Sequence, residues 1–469
     1  MNKYKKLFGN SLIFTVASFG SKILSFLFVR FYTELLSVEE YGIIDVFTTT
    51  SGLLYPFLTL SIVEAVLRFS IDDEENRKKT FSLGFFTVLG GNLLLLFALP
   101  LFGLSEIFRE HAIMLFFISF TSAMNVIFSH FSRGLGKTKI FALGGLIHTG
   151  AQIGLNVLFL AGLSMGVQGY FLAQILANLI SAAFLLIAGG LHRYFSLSFD
   201  GGYYKKMLRY SVPLVPNSVF WWIMQASDRY ALIYFLGNGV NGLYAVSGKI
   251  PTIIDTFSSI FFQAWQLSSV EEANSEDKAA FYTNVFRFVT SALILLASFI
   301  VLLIRPLFQV LVADAYYSAW RCAPMLILAS VFSSCSGFVG VNYVAMKKTV
   351  GVFWTTLAGA VTNISLNLLL IPRFGMIGAA FATFVSFFVT FVCRAFHTAK
   401  FVKIRYGVRT FVIPALILFI QCMALSVGFD TIYLQGVALI SLCLIYFEEI
   451  TLLIRRVLRF GKNRIVRKK

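Results

Sequence analysis

Charge is scarce in this chain of 469 residues: Asp, Glu, Lys and Arg together make up 13% of it, about half the share found in a soluble globular domain. Acidic residues are the scarcer kind, 22 against 39 Lys and Arg. The five cysteines (Cys322, Cys335, Cys393, Cys422 and Cys443) form no Cys-x-x-Cys pair and, Cys322 apart, lie inside apolar runs. They read as small apolar helix residues, not as a disulfide framework. The five histidines have no ligand spacing, so neither a metal nor another cofactor is expected. Long polar stretches are missing as well: no segment between apolar runs exceeds about 20 residues. These absences exclude a soluble globular protein, a disordered chain and a disulfide-stapled secreted domain. They also leave no room for an extramembrane catalytic domain.

What is present is apolar. Hydrophobic residues account for 58% of the chain, and Phe alone contributes 52. At about 20 residues per crossing, that content fills about 13 or 14 membrane spans. Fourteen apolar runs can be drawn, at approximately 11–32, 41–67, 81–104, 113–131, 141–163, 169–191, 212–235, 240–265, 283–304, 323–345, 350–371, 375–396, 411–428 and 432–454. The first is no cleaved signal peptide, since it is long, contains Lys22 and is followed by no small-residue cleavage site. The expected fold class is therefore an all-α polytopic membrane protein with about 14 transmembrane helices.

Basic residues concentrate in cytoplasmic loops. With the N-terminus inside, the inner segments hold 30 of the 39 Lys and Arg, the outer segments hold 4 (Arg109, Arg305, Arg321 and Arg373), and 5 lie in or at the edges of spans. Arg394 is counted with the inner segments. The asymmetry predicts that both termini lie in the cytoplasm. It also explains the net charge of +17 without nucleic acid. The basic tail 455–469 is suited to lie against anionic headgroups.

A repeat runs through the chain. Tyr4-Lys5-Lys6 recurs as Tyr204-Lys205-Lys206, and Gly42-x-x-x-Val46 as Gly242-x-x-x-Val246, both at an offset of 200. Leu155-Asn156 then matches Leu366-Asn367, and Gly166-x-x-Gly169 matches Gly375-x-x-Gly378. Shared order makes the weak matches informative. Each unit holds six spans, and an even number keeps the copies parallel. The expected organisation is a first six-helix lobe at 1–210, a second at 211–400, two additional helices at 401–454 and the tail at 455–469. Two parallel lobes around a cleft form an inverted-V transporter architecture.

A charge near the bilayer centre costs several kcal/mol unless it meets water or a partner. Lys22 sits midway along the first run, with Ser18 and Ser25 on its own face. That small polar surface suits a water-filled cavity. Asp228 and Arg229 are adjacent in the seventh run and point about 100° apart, which assigns them to different faces. Lys249 and Asp255 lie in the eighth, and an Asp228–Lys249 ion pair is the alternative to a substrate contact. Arg30 with Asp45, and Glu64 with Arg68 at i, i+4, read as structural pairs. The candidate cationic cavity is Lys22, Arg229, Lys249 and Arg30. Asp45, Glu64, Arg68, Asp228 and Asp255 are candidates for structural or coupling pairs. Basic groups in a cleft suit an anionic substrate, phosphate above all.

Glu39-Glu40-Tyr41-Gly42 after the first run resembles the opening of bacterial polysaccharide flippases. Tyr210-Ser-Val-Pro213-Leu-Val-Pro216, Asp228-Arg229-Tyr230, Leu236-Gly237, Gly242-Leu-Tyr244-Ala245 and Phe261-Phe262-Gln263-Ala264-Trp265 are similar to that family's most recognisable segment. Leu366-Asn367 through Gly375-Met-Ile-Gly378-Ala379-Ala380 fits as well. The chain thus resembles the Wzx-type oligosaccharide flippases, in the superfamily of MATE exporters and lipid II flippases. The resemblance implies transfer of an undecaprenyl-pyrophosphate-linked oligosaccharide to the outer leaflet by alternating access. It serves surface polysaccharide biosynthesis (O-antigen, lipopolysaccharide or capsule), with membrane lipids and a polymerase machinery as partners. It implies a transporter, not an enzyme. The alternatives are a cation-coupled multidrug or small-molecule exporter, which would depend on the membrane carboxylates, and a polyprenyl-dependent membrane enzyme, which would need larger outer loops.

Overall fold

The computed structural model describes residues 26–271, 277–345, 350–429 and 432–449, besides Gly20, Leu24 and Thr451. The described elements are helices, divided between two compact units: Met1–Ala245 with Leu311–Tyr316, and Val246–Val310 with Tyr317–Lys469.

The first unit contains α1 (Val29–Leu35), α2 (Val38–Thr59), α3 (Ile62–Asp72), α4 (Arg77–Phe102), α5 (Ala112–Gly134), α6 (Thr138–Asn156), α7 (Gly166–Ala188), α8 (Gly201–Ser211) and α9 (Leu214–Leu236). It also contains most of α10 (Asn238–Ser247). The second unit contains α11 (Thr252–Glu271), α12 (Lys278–Leu302), α13 (Ile304–Leu311), α14 (Ala323–Ala345), α15 (Val350–Thr398), α16 (Ile413–Val427) and α17 (Ile432–Ile445). The end of α13, at Leu311, belongs to the first unit.

Local chemistry fixes the ends. Ser37 and Glu40 form a reciprocal capping box at the start of α2, satisfying two amides that the helix leaves unpaired. Asp200 caps α8 through the Tyr203 amide and pairs with Lys79 at 3.0 Å; the amide and the ammonium hold its carboxyl below the usual range. At 49 residues a straight α15 would run for about 70 Å, twice the bilayer core. Gly375, at φ +57°, divides it into two spans.

Among the described residues eight helices are long and apolar enough to cross a membrane, one of them the divided α15, and α2 with α3 makes a ninth. Large apolar side chains face outward, Phe97 at 83% and Ile187 at 72% exposure, while Asn92, Asn156 and Asn178 are buried. That inversion of the soluble pattern suits a lipid solvent. Within the first unit Phe81 and Phe131 stack at 4.5 Å amid Ile62, Val66 and Ile127. In the second, Trp265 stacks on Phe338 at 4.4 Å.

Two expected single helices are broken. The run 41–67 bends by 56° between α2 and α3. Leu60 and Ser61 there both take left-handed φ, +49° and +50°, a strained conformation for residues with a side chain. The bend sits against α4, where a Cβ on Gly91 would lie 1.8 Å from the Leu58 carbonyl oxygen. The run 240–265 divides into α10 and α11 at Pro251, which has no amide to continue the ladder. Arg394, counted among the loop cations, lies inside α15 and is 2% exposed.

Candidate functional site

In the first unit α2 and α10 meet backbone to backbone. A Cβ on Gly42 would lie 2.2 Å from the Asn238 carbonyl oxygen, and one on Gly242 would lie 1.9 Å from that of Val38. Each glycine therefore abuts the residue four positions before the other. The pairs 38/238 and 42/242 keep the repeat's offset of 200, so the contact is reciprocal, as between two related copies. Asn241 closes it by donating Nδ2 to the Gly42 carbonyl at 3.1 Å. Small residues allow such close approach where hydrophobic burial cannot drive helices together.

One turn beyond Gly42, the same face of α2 presents Asp45, followed by Thr49 and Thr50. Arg229 of α9 donates Nε to Asp45 Oδ2 at 2.8 Å and Nη1 to Asp228 Oδ1 at 3.2 Å. Its Nη1 also reaches the Gln225 carbonyl at 2.7 Å. The other oxygen of Asp228 accepts a hydrogen bond from the Tyr244 hydroxyl of α10, whose ring lies 5.8 Å from the Arg229 guanidinium carbon. Farther along, Trp222 donates Nε1 to the Thr49 carbonyl at 2.9 Å, and Tyr230 and Thr50 share a hydroxyl hydrogen bond of 2.6 Å. The side chains of Arg229, Asp45 and Asp228 are 18%, 14% and 2% exposed. Ionised, the triad carries one net negative charge and fastens α2, α9 and α10 together.

This geometry revises the reading of Asp228 and Arg229 as serving separate faces. Adjacent Cα–Cβ bonds do diverge, but the arginine stem is long enough to fold its guanidinium back over the preceding carboxylate. Asp45 pairs with Arg229, and Arg30 pairs with Glu34 at 2.6 Å and donates to the Val312 carbonyl at 2.7 Å. Tyr316 donates to the Leu36 and Ser37 carbonyls at 2.9 and 2.7 Å, which ties the segment Leu311–Tyr316 to the same corner. Arg68 pairs with Asp72 at 2.8 Å in place of Glu64. The break before α3 puts Glu64 in a helix's first turn, where unpaired amides favour a carboxylate. Lys249 and Asp255 belong to the second unit; Lys249 sits in the α10–α11 turn, and Asp255 is exposed in the first turn of α11. Lys22 lies outside the described residues.

Sequence reasoning missed Tyr244, Thr50 and Tyr230, whose hydroxyls look like packing on apolar helices. The available signal was the Gly42/Gly242 match, which already aligned α2 with α10.

Comparison with known proteins bears on this architecture. The family described as "Polysaccharide biosynthesis protein" matches residues 7–266. An uncharacterized membrane protein of Methanocaldococcus jannaschii is 22% identical over 434 residues, 84% of this chain and 98% of its own. Among solved structures, the lipid II flippase MurJ in an inward closed conformation matches with a TM-score of 0.65 at 16% identity, over 95% of this chain and 100% of that one. A multidrug resistance MATE family transporter of the MOP superfamily, facing inward, also matches with a TM-score of 0.65 at 16% identity, over 81% of this chain and 95% of its own. A MOP superfamily transporter from Pyrococcus furiosus gives 0.60 at 15% identity, over 88% and 95%. The fold is that of the flippases and MATE exporters.

Proposed function

The chain belongs to the polysaccharide biosynthesis protein family, a multi-pass membrane protein with a flippase and exporter fold, and from that premise we propose that it flips an undecaprenyl-pyrophosphate-linked oligosaccharide from the cytoplasmic to the outer leaflet. Access alternates between the lobes 1–210 and 211–400, and the glycan feeds a surface polysaccharide such as O-antigen or capsule. The observation that carries this reading is the family match across the first repeat, joined to a fold that MurJ shares over nearly the whole chain.

Physical chemistry supports it. A pyrophosphate cannot enter hydrocarbon without partners for its charge. A cationic cleft supplies them, while the glycan stays in water and the polyprenyl tail in lipid. Of the four candidate cations, Arg229 is already held by two carboxylates and Arg30 by Glu34. Lys22, midway along the first apolar run, is the first choice for the headgroup, with Lys249 next, and Arg229 positions α2 against α9. The bias of the basic residues supports a cytoplasmic position for both termini and the tail 455–469, in a bacterial inner membrane beside the enzymes that assemble the lipid-linked unit. A polymerase takes the glycan on the outer face.

The test is leaflet-resolved measurement of lipid-linked glycan in a deletion strain. Build-up on the cytoplasmic face, reversed by the wild-type chain, is the expected result. Normal outer-face glycan would discard the reading and favour a cation-coupled exporter. In the same assay Lys22→Ala is expected to abolish transport at unchanged protein abundance, because Lys22 falls midway along the first apolar run with Ser18 and Ser25 at helical spacing from it. Full activity would remove Lys22 from the site.

A further inference from the structure

The second unit buries an arginine beside a cavity. Arg394 donates Nη1 to the Ser336 carbonyl at 2.9 Å, Nη2 to Thr356 Oγ1 at 2.9 Å and Nε to Thr355 Oγ1 at 3.3 Å. Gly340 of α14 makes the room: a Cβ there would lie 2.6 Å from Nη1. Thr355, which receives the guanidinium, also lines a cavity of about 530 Å³ together with Gly351, Trp354, Ala358, Cys393 and His397. His397 is positioned by a 3.0 Å hydrogen bond between Nδ1 and the Tyr343 hydroxyl. Trp354, 62% exposed, and Val350, 70% exposed, leave the cavity's mouth apolar and open.

The surrounding sequence is one-sided in charge. From 315 to 429 there is no Asp or Glu, against nine Lys or Arg. The helices that enclose Arg394 therefore bring cations and hydroxyls but no carboxylate of their own. Thr355 and Arg394 lie on consecutive passes of the divided α15, one before and one after Gly375.

We propose that this cavity is a binding site for the phosphate headgroup of an anionic membrane lipid, with an acyl chain running out along Ala358 and Trp354. His397 receives the phosphate, and Arg394 adds positive charge from behind Thr355, whose hydroxyl donates to the Gly351 carbonyl at 2.8 Å. The apolar mouth selects a lipid over a free ion. The site lies wholly in the second unit and is independent of the substrate that is flipped.

Cys393 reports on occupancy, since it lines the cavity while Cys322, Cys335 and Cys422 are buried. In purified full-length protein carrying Cys443→Ser, maleimide labelling of Cys393 is measured with phosphatidylglycerol, with phosphatidylcholine of the same chains, or with inorganic phosphate. Phosphatidylglycerol is expected to slow labelling about tenfold more than phosphatidylcholine, the effect of one charge-assisted contact. Ala358→Trp, which fills the cavity without touching Arg394, is expected to abolish that difference. Arg394→Gln is expected to reduce it to less than about twofold. Equal protection by phosphatidylcholine would overturn the charge recognition. Equal protection by millimolar phosphate would overturn the lipid in favour of a free anion. Undiminished discrimination in Ala358→Trp would put the lipid elsewhere. Should Arg394→Gln fail to fold, the Ala358→Trp and phosphate arms still decide.

Discussion

Arg229→Met is expected to destabilise the protein by about 3–5 kcal/mol, the usual effect of removing one partner from a buried ion pair. Asp45 and Asp228 would be left facing one another across α2 and α9, 14% and 2% exposed, while the residue 229 amide and the Tyr244 hydroxyl still donate to Asp228. The loss is expected as reduced abundance in the membrane and a lower apparent melting temperature in detergent. Asp45→Asn in the Arg229→Met background removes one of the two stranded charges and is expected to recover part of the loss. Arg229→Lys keeps the charge but not the fork that reaches both carboxylates, so it is expected to fall between. The series separates two roles. If Arg229→Met melts like the wild type yet stops transport, Arg229 meets the substrate and does not position helices. If melting and transport fall together and the Asn partner restores both, it positions them.

The fold class was legible because it follows from quantities a sequence carries directly: apolar content, run length and the bias of Lys and Arg. The site was legible only in part. Asp45, Asp228 and Arg229 stood out as charges in apolar runs, which identifies candidates but not partners. Partners depend on how far a side chain can fold back, and Arg229 reaches its own neighbour Asp228 at 3.2 Å although their Cβ atoms diverge. Breaks were hidden for a related reason. Leu60 and Ser61 carry no turn signature, and their left-handed backbone lies next to the close approach of α4 at Gly91 to the Leu58 carbonyl, a contact between residues distant in sequence. Arg394 was misplaced because a cation four residues from a helix end looks like loop chemistry. Its burial depends on Gly340 of another helix.

Gly42→Ala and Gly242→Ala should each be destabilising, and together less than additive. At an uncrowded helix position, replacing Gly by Ala gains about 0.5–1 kcal/mol, so the sign of the effect is itself diagnostic. Here the new methyl groups would lie 2.2 and 1.9 Å from carbonyl oxygens of the opposing helix. Backbone cannot swing aside as a side chain can, so α2 and α10 must separate by about 1 Å, and overpacking of that kind costs about 1–3 kcal/mol. Separation also stretches the 3.1 Å hydrogen bond from Asn241 to the Gly42 carbonyl and loosens the Asp45–Arg229–Tyr244 cluster one turn away. The two contacts are reciprocal parts of one crossing. Once the first methyl has opened the gap, the second enters space already made, and the double variant should fall short of the summed single effects by about 1 kcal/mol or more. Apparent melting temperatures of the two single variants and the double decide this. Neutral or stabilising single variants would mean that the helices do not close on each other at this crossing. Strict additivity would mean that the two glycines act at separate places, against the local two-fold relation that the offset of 200 residues and the paired carbonyl contacts both describe.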